Sequence, residues 1–187
     1  MPVRLIDLKR ITDSRGWFYE SYSRETLRRH GVDIEFVQDN HSLSSAPGVL
    51  RGLHFQRPPH AQAKLVRCIR GRVWDAVVDL RAGSPTFGAA VTCELSAAQP
   101  QLLFIPIGFA HGFISLEAGT EVEYKVSSHY APGFEVGVAW NDPTLAIAWP
   151  ASVGAPILSE KDAGLPLLAD IEIPFQFDGS PLGPIFP

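Results

Sequence analysis

The sequence has few or none of the features that mark several large classes of protein. It has two cysteines among 187 residues, Cys68 and Cys93, which is too few for the disulfide framework of a small secreted domain. No stretch approaches the roughly 18 apolar residues of a membrane span, and the charged start of the chain has no apolar signal segment. Sixteen basic residues against twenty acidic ones leave no cationic excess for nucleic acid or a membrane surface. We therefore expect a soluble, cytoplasmic protein of one domain, residues 1–187.

Glycine and proline, by contrast, are abundant, with sixteen of each. They divide the chain into short segments in which apolar and polar residues alternate, a pattern that favours a β-sandwich or β-barrel. The predicted strands are 48–55, 64–70, 73–79, 89–95, 102–107, 112–116, 121–127 and 136–140.

Turn and cap residues predict how these segments connect. Gly71 separates the second and third predicted strands and predicts that they form a hairpin. Ser23 predicts the start of a helix over 24–30, and Ser159 predicts a single helical turn. The end of the chain, residues 171–187, is rich in proline and glycine and is expected to be an extended tail.

The first predicted strand carries unusual polar residues. Strand alternation places Leu50, Gly52, His54 and Gln56 on one face and Arg51 on the other. Inside a closed barrel, the polar face would line a ligand cavity. A hydrogen-bonded core histidine is an equally good interpretation of His54 from this segment alone.

A second polar residue lies on a face that otherwise looks buried. Lys64 shares its strand face with Val66 and Cys68, and a buried ammonium must be paired or functional. Asp75 on the next strand is its natural partner. A structural ion pair is one interpretation; a lysine that stabilises a developing oxyanion, held in place by Asp75, is a compatible second one.

Two further residues have both structural and functional interpretations. Tyr124 shares its strand face with Val122 and Val126, so it is either a core aromatic or an inward-facing proton donor. Asp162 lies three residues after Ser159, as in a helix capping box, but a carboxylate can also orient a histidine tautomer. The spacing does not choose between these roles.

The segment 105–113 has the pattern P-x-G-x-x-H-x-F, which resembles the second half of the cupin signature and contains His111. The first half of that signature normally supplies a His-x-His pair and a glutamate for a metal ion. Here the sequence is His54-Phe55-Gln56, followed by a lysine in place of an acid. A transition-metal site needs at least three converging ligands, so we predict the fold without the metal.

Nine motifs in this order resemble the dTDP-4-dehydrorhamnose 3,5-epimerase family, from Asp13 to Asp162, or about four-fifths of the chain. The motifs are DSRGWFYE, FVQDNHS, GVLRGLHFQ, KLVR, GSPTFG, IPIGFAHGF, TEVEYK, WNDP and LSEKD. The resemblance implies an all-β, cupin-type jelly-roll barrel with a few short helices and no metal or organic cofactor. It also implies a homodimer in which the N-terminal segment reaches the neighbouring subunit's site.

Residue roles follow from the same resemblance. It implies His54 as general base, Asp162 as its orienting partner, Tyr124 as acid on the opposite face of the sugar, and Lys64 as the group that stabilises the enolate. Implied substrate-binding residues are Arg15, Phe18, Glu20, Gln38, Asn40, Arg51, His111 and Tyr130.

The implied reaction is epimerisation at C3 and C5 of dTDP-4-keto-6-deoxyglucose to give dTDP-4-keto-L-rhamnose. Three alternatives remain at this point: an epimerase that inverts only one carbon, a metal-dependent cupin, and a cupin that only binds a nucleotide sugar. The incomplete ligand set argues against the second. The presence of both an acid and a base candidate argues against the third.

Overall fold

The computed structural model describes residues 1–182, and most of its regular structure is β-strand. The strands β1 to β12 are Arg4–Asp7, Ile11–Asp13, Gly16–Phe18, Gln38–Ser44, Leu50–Gln56, Lys64–Arg70, Arg72–Asp79, Ala90–Ser96, Gln101–Ile105, Phe109–Ser115, Thr120–Val126 and Glu135–Gly137. The helices are α1, Arg24–Arg29, and α2, Glu160–Ala163, with short 3-10 turns at Pro132–Phe134, Ala151–Val153 and Leu168–Asp170.

Ten of these strands form two five-stranded antiparallel sheets. The first sheet has the order β1-β9-β6-β11-β4, and the second has the order β12-β5-β10-β7-β8. Strands β2 and β3 pair only with each other and form a small separate hairpin within the described part of the chain. The predicted all-β, cupin-type fold is confirmed.

The two sheets pack face to face through one apolar cluster. Val66 of β6 and Leu103 of β9, from the first sheet, pack with Val77 of β7 and Phe109 of β10, from the second. Each of these side chains is at most 3% exposed. Side chains alternate along each strand, so the residues that neighbour these interior positions in sequence face outward. Leu65, for example, packs under helix α1.

The hairpin predicted around Gly71 is wrong. Strand β6 pairs with β9 and β11 in the first sheet, while β7 pairs with β8 and β10 in the second. Gly71, with a φ of 72°, therefore carries the chain from one sheet to the other. A glycine turn between two alternating segments is compatible with either connection, so the local sequence does not distinguish them.

The two predicted helices are present. The Ser23 side chain accepts a hydrogen bond from the Thr26 amide at the start of α1, and Gly31 follows the helix with a positive φ of 75°. The Ser159 side chain accepts from the Asp162 amide at the start of α2. Residues 1–182 contain no helix with the length and apolar character needed to cross a bilayer.

The predicted tail packs on the second sheet over the part that the structure describes. Phe175 is 6% exposed and lies against Phe55, with ring centroids 5.6 Å apart. Backbone hydrogen bonds from Ala82 to Phe175 and from Phe177 to Ala82 fix this segment to the barrel. Residues 183–187 of the predicted tail lie outside the described residues.

Candidate active site

A cavity of about 410 Å³ opens between the two sheets at one end of the sandwich. The first sheet contributes Asn40, Ser42, Lys64 and Tyr124. The second sheet contributes Arg51, His54, His111, Phe113 and Glu135. Tyr130, the N-cap residue Ser159, and Lys161 and Asp162 of α2 complete its rim. All but one of these side chains carry a polar group, so the cavity is suited to a polar or charged ligand.

A short hydrogen bond in the cavity joins His54 to Asp162. His54 Nε2 lies 2.6 Å from Asp162 Oδ1, and the Asp162 side chain is only 7% exposed. Burial favours a higher pKa for Asp162, but the hydrogen bond and charge of His54 outweigh it and keep the pKa below its usual value. Asp162 thus makes contacts of both predicted kinds, because its amide donates to Ser159 Oγ while its carboxylate contacts the histidine.

Arg51 and His54 line the same cavity, although simple alternation places them on opposite faces. Strand β5 pairs His54 with His111 and Arg51 with Phe113 across β10, so β5 has one residue more than β10 in this interval. This is a β-bulge, and it turns both side chains to the same side. The Gly52–Leu53 peptide bond within the bulge is cis.

Lys64 is buried, with 8% of the residue exposed, and its ammonium group points into the cavity. Nζ donates to the His54 carbonyl oxygen at 3.1 Å. Burial lowers the pKa of Lys64 to about 8, although the negative charges of Asp75 and Glu135 oppose this shift. An ammonium with so few protein partners is available to an anionic group of a ligand.

The expected Lys64–Asp75 ion pair is wrong. Asp75 is fully buried, and its carboxylate lies 3.0 Å from His111 Nε2 instead. Burial lowers the pKa of His111, while the charge and hydrogen bond of Asp75 oppose the change. Asp75 therefore acts on Lys64 only through its charge, at longer range.

Tyr124 is partly buried against the interior cluster, and it also lines the cavity. Burial raises the pKa of Tyr124, and the nearby Glu135 carboxylate adds to this effect. The phenol therefore stays protonated at neutral pH. Tyr124 lies on β11 of the first sheet, whereas His54 lies on β5 of the second.

Tyr130, Glu135 and Lys161 form a hydrogen-bonded group at the cavity mouth. The Tyr130 hydroxyl donates to Glu135 Oε2 at 2.6 Å, and Lys161 Nζ donates to the same oxygen at 2.5 Å. Burial favours a higher pKa for Glu135, but these two donors outweigh it and the pKa is lowered. The ion pair also connects helix α2 to strand β12.

The cavity lacks the donor set of a metal site. Among residues 1–182, no group of three or more His, Cys, Asp or Glu side chains converges as metal ligands. One ring nitrogen of His54 is hydrogen-bonded to Asp162, and one of His111 is hydrogen-bonded to Asp75. The Lys64 cation lines the same cavity as the two histidines. These residues do not fit a bound transition metal.

Comparison with known proteins identifies the family. A family model described as dTDP-4-dehydrorhamnose 3,5-epimerase matches residues 2–170. The chain belongs to this family. An enzyme of that name from Salmonella typhimurium is 49% identical over 167 residues, which cover 89% of this chain and 90% of the relative.

Solved structures of the epimerase family agree with the fold. The Bacillus anthracis dTDP-4-dehydrorhamnose 3,5-epimerase with TDP and pyrophosphate bound is 48% identical, with a TM-score of 0.85 over 88% of this chain and 93% of that one. The Legionella pneumophila dTDP-6-deoxy-D-glucose-3,5-epimerase in complex with dTDP-4-keto-L-rhamnose is 42% identical, with a TM-score of 0.87 and 92% coverage of both chains. The family is one of isomerases.

Two other substrate-binding candidates, Gln38 and Asn40, are at or beside the cavity of this epimerase-family chain. Gln38 Nε2 donates to Asn40 Oδ1 at 2.8 Å, and Gln38 Oε1 accepts from the Tyr130 amide at 3.0 Å. Asn40 lines the main cavity, and both residues line a smaller adjoining one. Gln38 therefore orients Asn40 and the Tyr130 backbone.

Three candidates suggested by the resemblance lie away from the cavity within one chain. The Arg15 side chain is 88% exposed and pairs with Asp13, and Phe18 is 68% exposed. Both line a surface groove on the β2–β3 hairpin. Glu20 follows this hairpin and accepts a hydrogen bond from Thr26.

The residues that sequence reasoning missed are mostly at the cavity mouth. Glu135 and Lys161 were not among the candidates, nor were Ser42, Phe113 and Ser159 as lining residues. Lys161 had a usable signal, because it lies inside the LSEKD motif beside Asp162. Glu135 had none, since its contacts are with residues on other elements of the fold.

Proposed function

We propose that this chain inverts C3 and C5 of dTDP-4-keto-6-deoxyglucose to give dTDP-4-keto-L-rhamnose, with no metal or organic cofactor. Membership of the epimerase family supports the reaction. The observation that carries the mechanism is that His54, Lys64 and Tyr124 line one cavity from three different strands. The C4 ketone acidifies the hydrogens on C3 and C5, so inversion needs a base, a cation for the enolate, and a second proton donor.

His54 is the proposed base. With the proton on His54 Nε2, this nitrogen donates a hydrogen bond to Asp162 Oδ1 at 2.6 Å, which leaves Nδ1 unprotonated in the neutral ring. Because the pKa of Asp162 is held low, the carboxylate stays ionised and fixes this tautomer. Nδ1 then removes the acidic hydrogen from C3 or C5, and Asp162 stabilises the imidazolium that forms.

Lys64 is the proposed partner of the enolate oxygen. Its ammonium is buried and forms one hydrogen bond with a carbonyl among residues 1–182, so two N–H groups remain for a ligand. A fixed positive charge in an enclosed site stabilises a developing oxyanion more strongly than it would in water. His111, which contacts Asp75 in the same cavity, is proposed to bind the sugar beside it.

Tyr124 is the proposed acid. Its raised pKa keeps the phenol protonated at neutral pH, as a donor requires. Tyr124 and His54 come from opposite sheets, so they approach a sugar bound between the sheets from its two faces. A proton removed by His54 from one face and returned by Tyr124 to the other inverts the carbon.

Arg51 is proposed to bind the diphosphate, since guanidinium groups make charge-assisted, often bidentate, contacts with phosphate oxygens. Its Nη2 donates to the Leu43 carbonyl, which directs the guanidinium along the cavity wall. Gln38, Asn40 and Tyr130 are proposed to contact the rest of the nucleotide.

Arg15, Phe18 and Glu20 are proposed to act in the site of a partner subunit. A phenylalanine that is 68% exposed and an arginine that is 88% exposed, both on one protruding hairpin, form a surface suited to association with another chain. We propose a homodimer in which each hairpin reaches the neighbouring cavity.

Incubation of the purified protein with dTDP-4-keto-6-deoxyglucose in D₂O tests the function. We expect deuterium at both C3 and C5, with inversion at both carbons. Label at a single carbon would identify an epimerase of one position. Tight dTDP binding without any label would identify a non-catalytic binding protein.

The Tyr124→Phe variant tests the assignment of the two faces. It keeps the aromatic ring and removes only the phenol proton, so His54 or solvent can return a proton to the original face. We expect exchange of label from D₂O to exceed inversion at one or both carbons. Equal losses of exchange and inversion would show that Tyr124 positions the substrate and is not the acid.

A further inference from the structure

The bulge in β5 contains one residue that has no counterpart on the facing strand. Between the pairs His54–His111 and Arg51–Phe113, β10 has only Gly112, whereas β5 has Gly52 and Leu53. Leu53 is fully buried in the apolar cluster on the outer face of the second sheet. Gly52 is therefore the additional residue, and its insertion is what lets Arg51 and His54 face the same cavity although they are three residues apart.

Neither Gly52 on β5 nor Gly112 on the facing strand β10 has room for a side chain. Gly52 has a φ of 125°, and a Cβ there would lie 2.5 Å from Gly112 Cα and 2.8 Å from the His111 carbonyl oxygen. A Cβ on Gly112 would lie 2.8 Å from the Arg51 carbonyl oxygen and 3.1 Å from Gly52 Cα. These contacts are with backbone atoms, which cannot move aside as the end of a flexible side chain can. The bulge therefore requires glycine on both strands.

The two ends of the bulge are held very differently. His54 is fixed by pairing with Gly137 on β12 and by the 2.6 Å contact of its ring with Asp162. The Arg51 side chain makes one hydrogen bond within residues 1–182, to the Leu43 carbonyl, and its Nε is buried without a partner. We therefore expect a change at Gly52 or Gly112 to displace the Arg51 side chain more than the His54 side chain.

We infer that Gly112 is a positioning residue of the epimerase site: by leaving space for the bulge, it aims Arg51 at the substrate diphosphate. The inference rests on the proposed function, in which Arg51 binds that group. Gly112 itself does not line the cavity. Its effect is therefore on ligand affinity, whereas general damage to the fold lowers the amount of active enzyme and leaves affinity unchanged.

The first test is Gly112→Ala, with dTDP affinity, KM and kcat measured on the folded protein. We expect dTDP binding to weaken about tenfold to a hundredfold, as for loss of a hydrogen bond to a charged group, and KM to change more than kcat. Arg51→Ala gives the reference value for complete loss of the contact. Gly133→Ala is the matched control, because a Cβ at Gly133 meets no atom within 4 Å.

Unchanged dTDP affinity and KM in a folded Gly112→Ala protein would overturn the inference, even if kcat fell. The proposed function is judged separately, by label exchange in the unaltered enzyme. The change in dTDP affinity and KM between the Gly112→Ala variant and the parent tests the inference alone.

A second variant decides the matter if Gly112→Ala does not fold. Deleting Gly52 in the Gly112→Ala background removes the additional residue, so that regular alternation again places Arg51 and His54 on the cavity face and Leu53 on the outer face. We expect this double variant to fold and to bind dTDP more tightly than Arg51→Ala, the reference for complete loss of the contact. A double variant that does not fold, or folds without binding dTDP, would contradict the inference.

Discussion

Two buried cations in this protein have very different surroundings. Arg81 is 3% exposed, and its guanidinium donates to both Asp79 carboxylate oxygens, to Asp178 and to the Ser180 carbonyl. It also lies over the rings of Phe109 and Phe177, at 4.5 and 5.0 Å. Lys64 is similarly buried, but Nζ donates to one carbonyl oxygen among residues 1–182.

The pKa values follow this difference. The hydrogen bonds from Arg81 to Asp79 raise the pKa of the arginine, despite burial. Burial dominates at Lys64 and lowers its pKa to about 8. Removing one partner of a well-paired buried charge is strongly destabilising, because it leaves the other charge buried and unpaired. A buried charge with few partners costs stability, and such groups are common at functional sites. We therefore expect variants near Lys64 to lose activity and variants near Arg81 to lose stability.

The largest expected effect is on rate, at His54. His54→Ala removes the proposed base, so label exchange from D₂O and inversion should both fall by about a hundredfold to ten-thousandfold. The unfolding midpoint in urea should stay close to that of the parent protein. His41→Ala is the matched control, since His41 is an exposed histidine that contacts Glu121 outside the cavity. A fall in exchange of less than tenfold for His54→Ala would leave the base unidentified.

The next effect is on stability, at Arg81. Arg81→Met keeps most of the volume but leaves the fully buried Asp79 without its charged partner, which costs about 3–5 kcal/mol in comparable cases. Urea unfolding should report this loss, while kcat per folded molecule stays within about twofold. The comparison fails if Arg81→Met unfolds like the parent protein or if kcat falls with no change in stability.

A smaller effect, with opposite signs for activity and stability, is expected from the pKa of Lys64. The folded value of about 8 lies below the ordinary value of 10.5. Between these values the unfolded chain binds the proton that the folded chain has lost, so the contribution of Lys64 to the free energy of unfolding rises with pH. If Lys64 has its proposed role, activity should fall across the same window, because a neutral amine does not stabilise an enolate.

Two variants of Lys64 separate these consequences. Lys64→Arg keeps a charge at all accessible pH values, so the alkaline limb of kcat/KM should move up by more than one pH unit. Lys64→Met removes the titration, and the rise in unfolding free energy above pH 8 should disappear relative to the parent. An alkaline limb that is unchanged in Lys64→Arg would assign it to another group.

The inward faces of single strands could be predicted from the sequence because alternation is a local property. Lys64 with Val66, and Tyr124 with Val122, face the interior as the pattern indicates. The same rule failed at Arg51, because a bulge depends on the facing strand and is not encoded in β5 alone.

Other features depend on contacts between distant segments. The polar strand β4, Gln38–Ser44, was not predicted, since its stability comes from pairing with β11 and not from an apolar pattern. The inward position of Asp75 on the strand after Lys64 predicts that the two residues pair, but the actual partner of Asp75 is His111 on β10. Most of the proposed residue roles follow from the family resemblance, which rests on nine motifs in a fixed order and not on any single segment.

At Gly71 the chain passes from the first sheet to the second, and this division of the chain has a consequence for folding. The proposed base is on the second sheet, and the proposed enolate-stabilising cation and acid are on the first, so neither sheet alone contains all three groups. A folding intermediate with only one sheet formed is therefore inactive, however native its strand pairing. The recovery of label exchange during refolding reports the docking of the two sheets, whereas the recovery of β-structure in circular dichroism reports the sheets themselves.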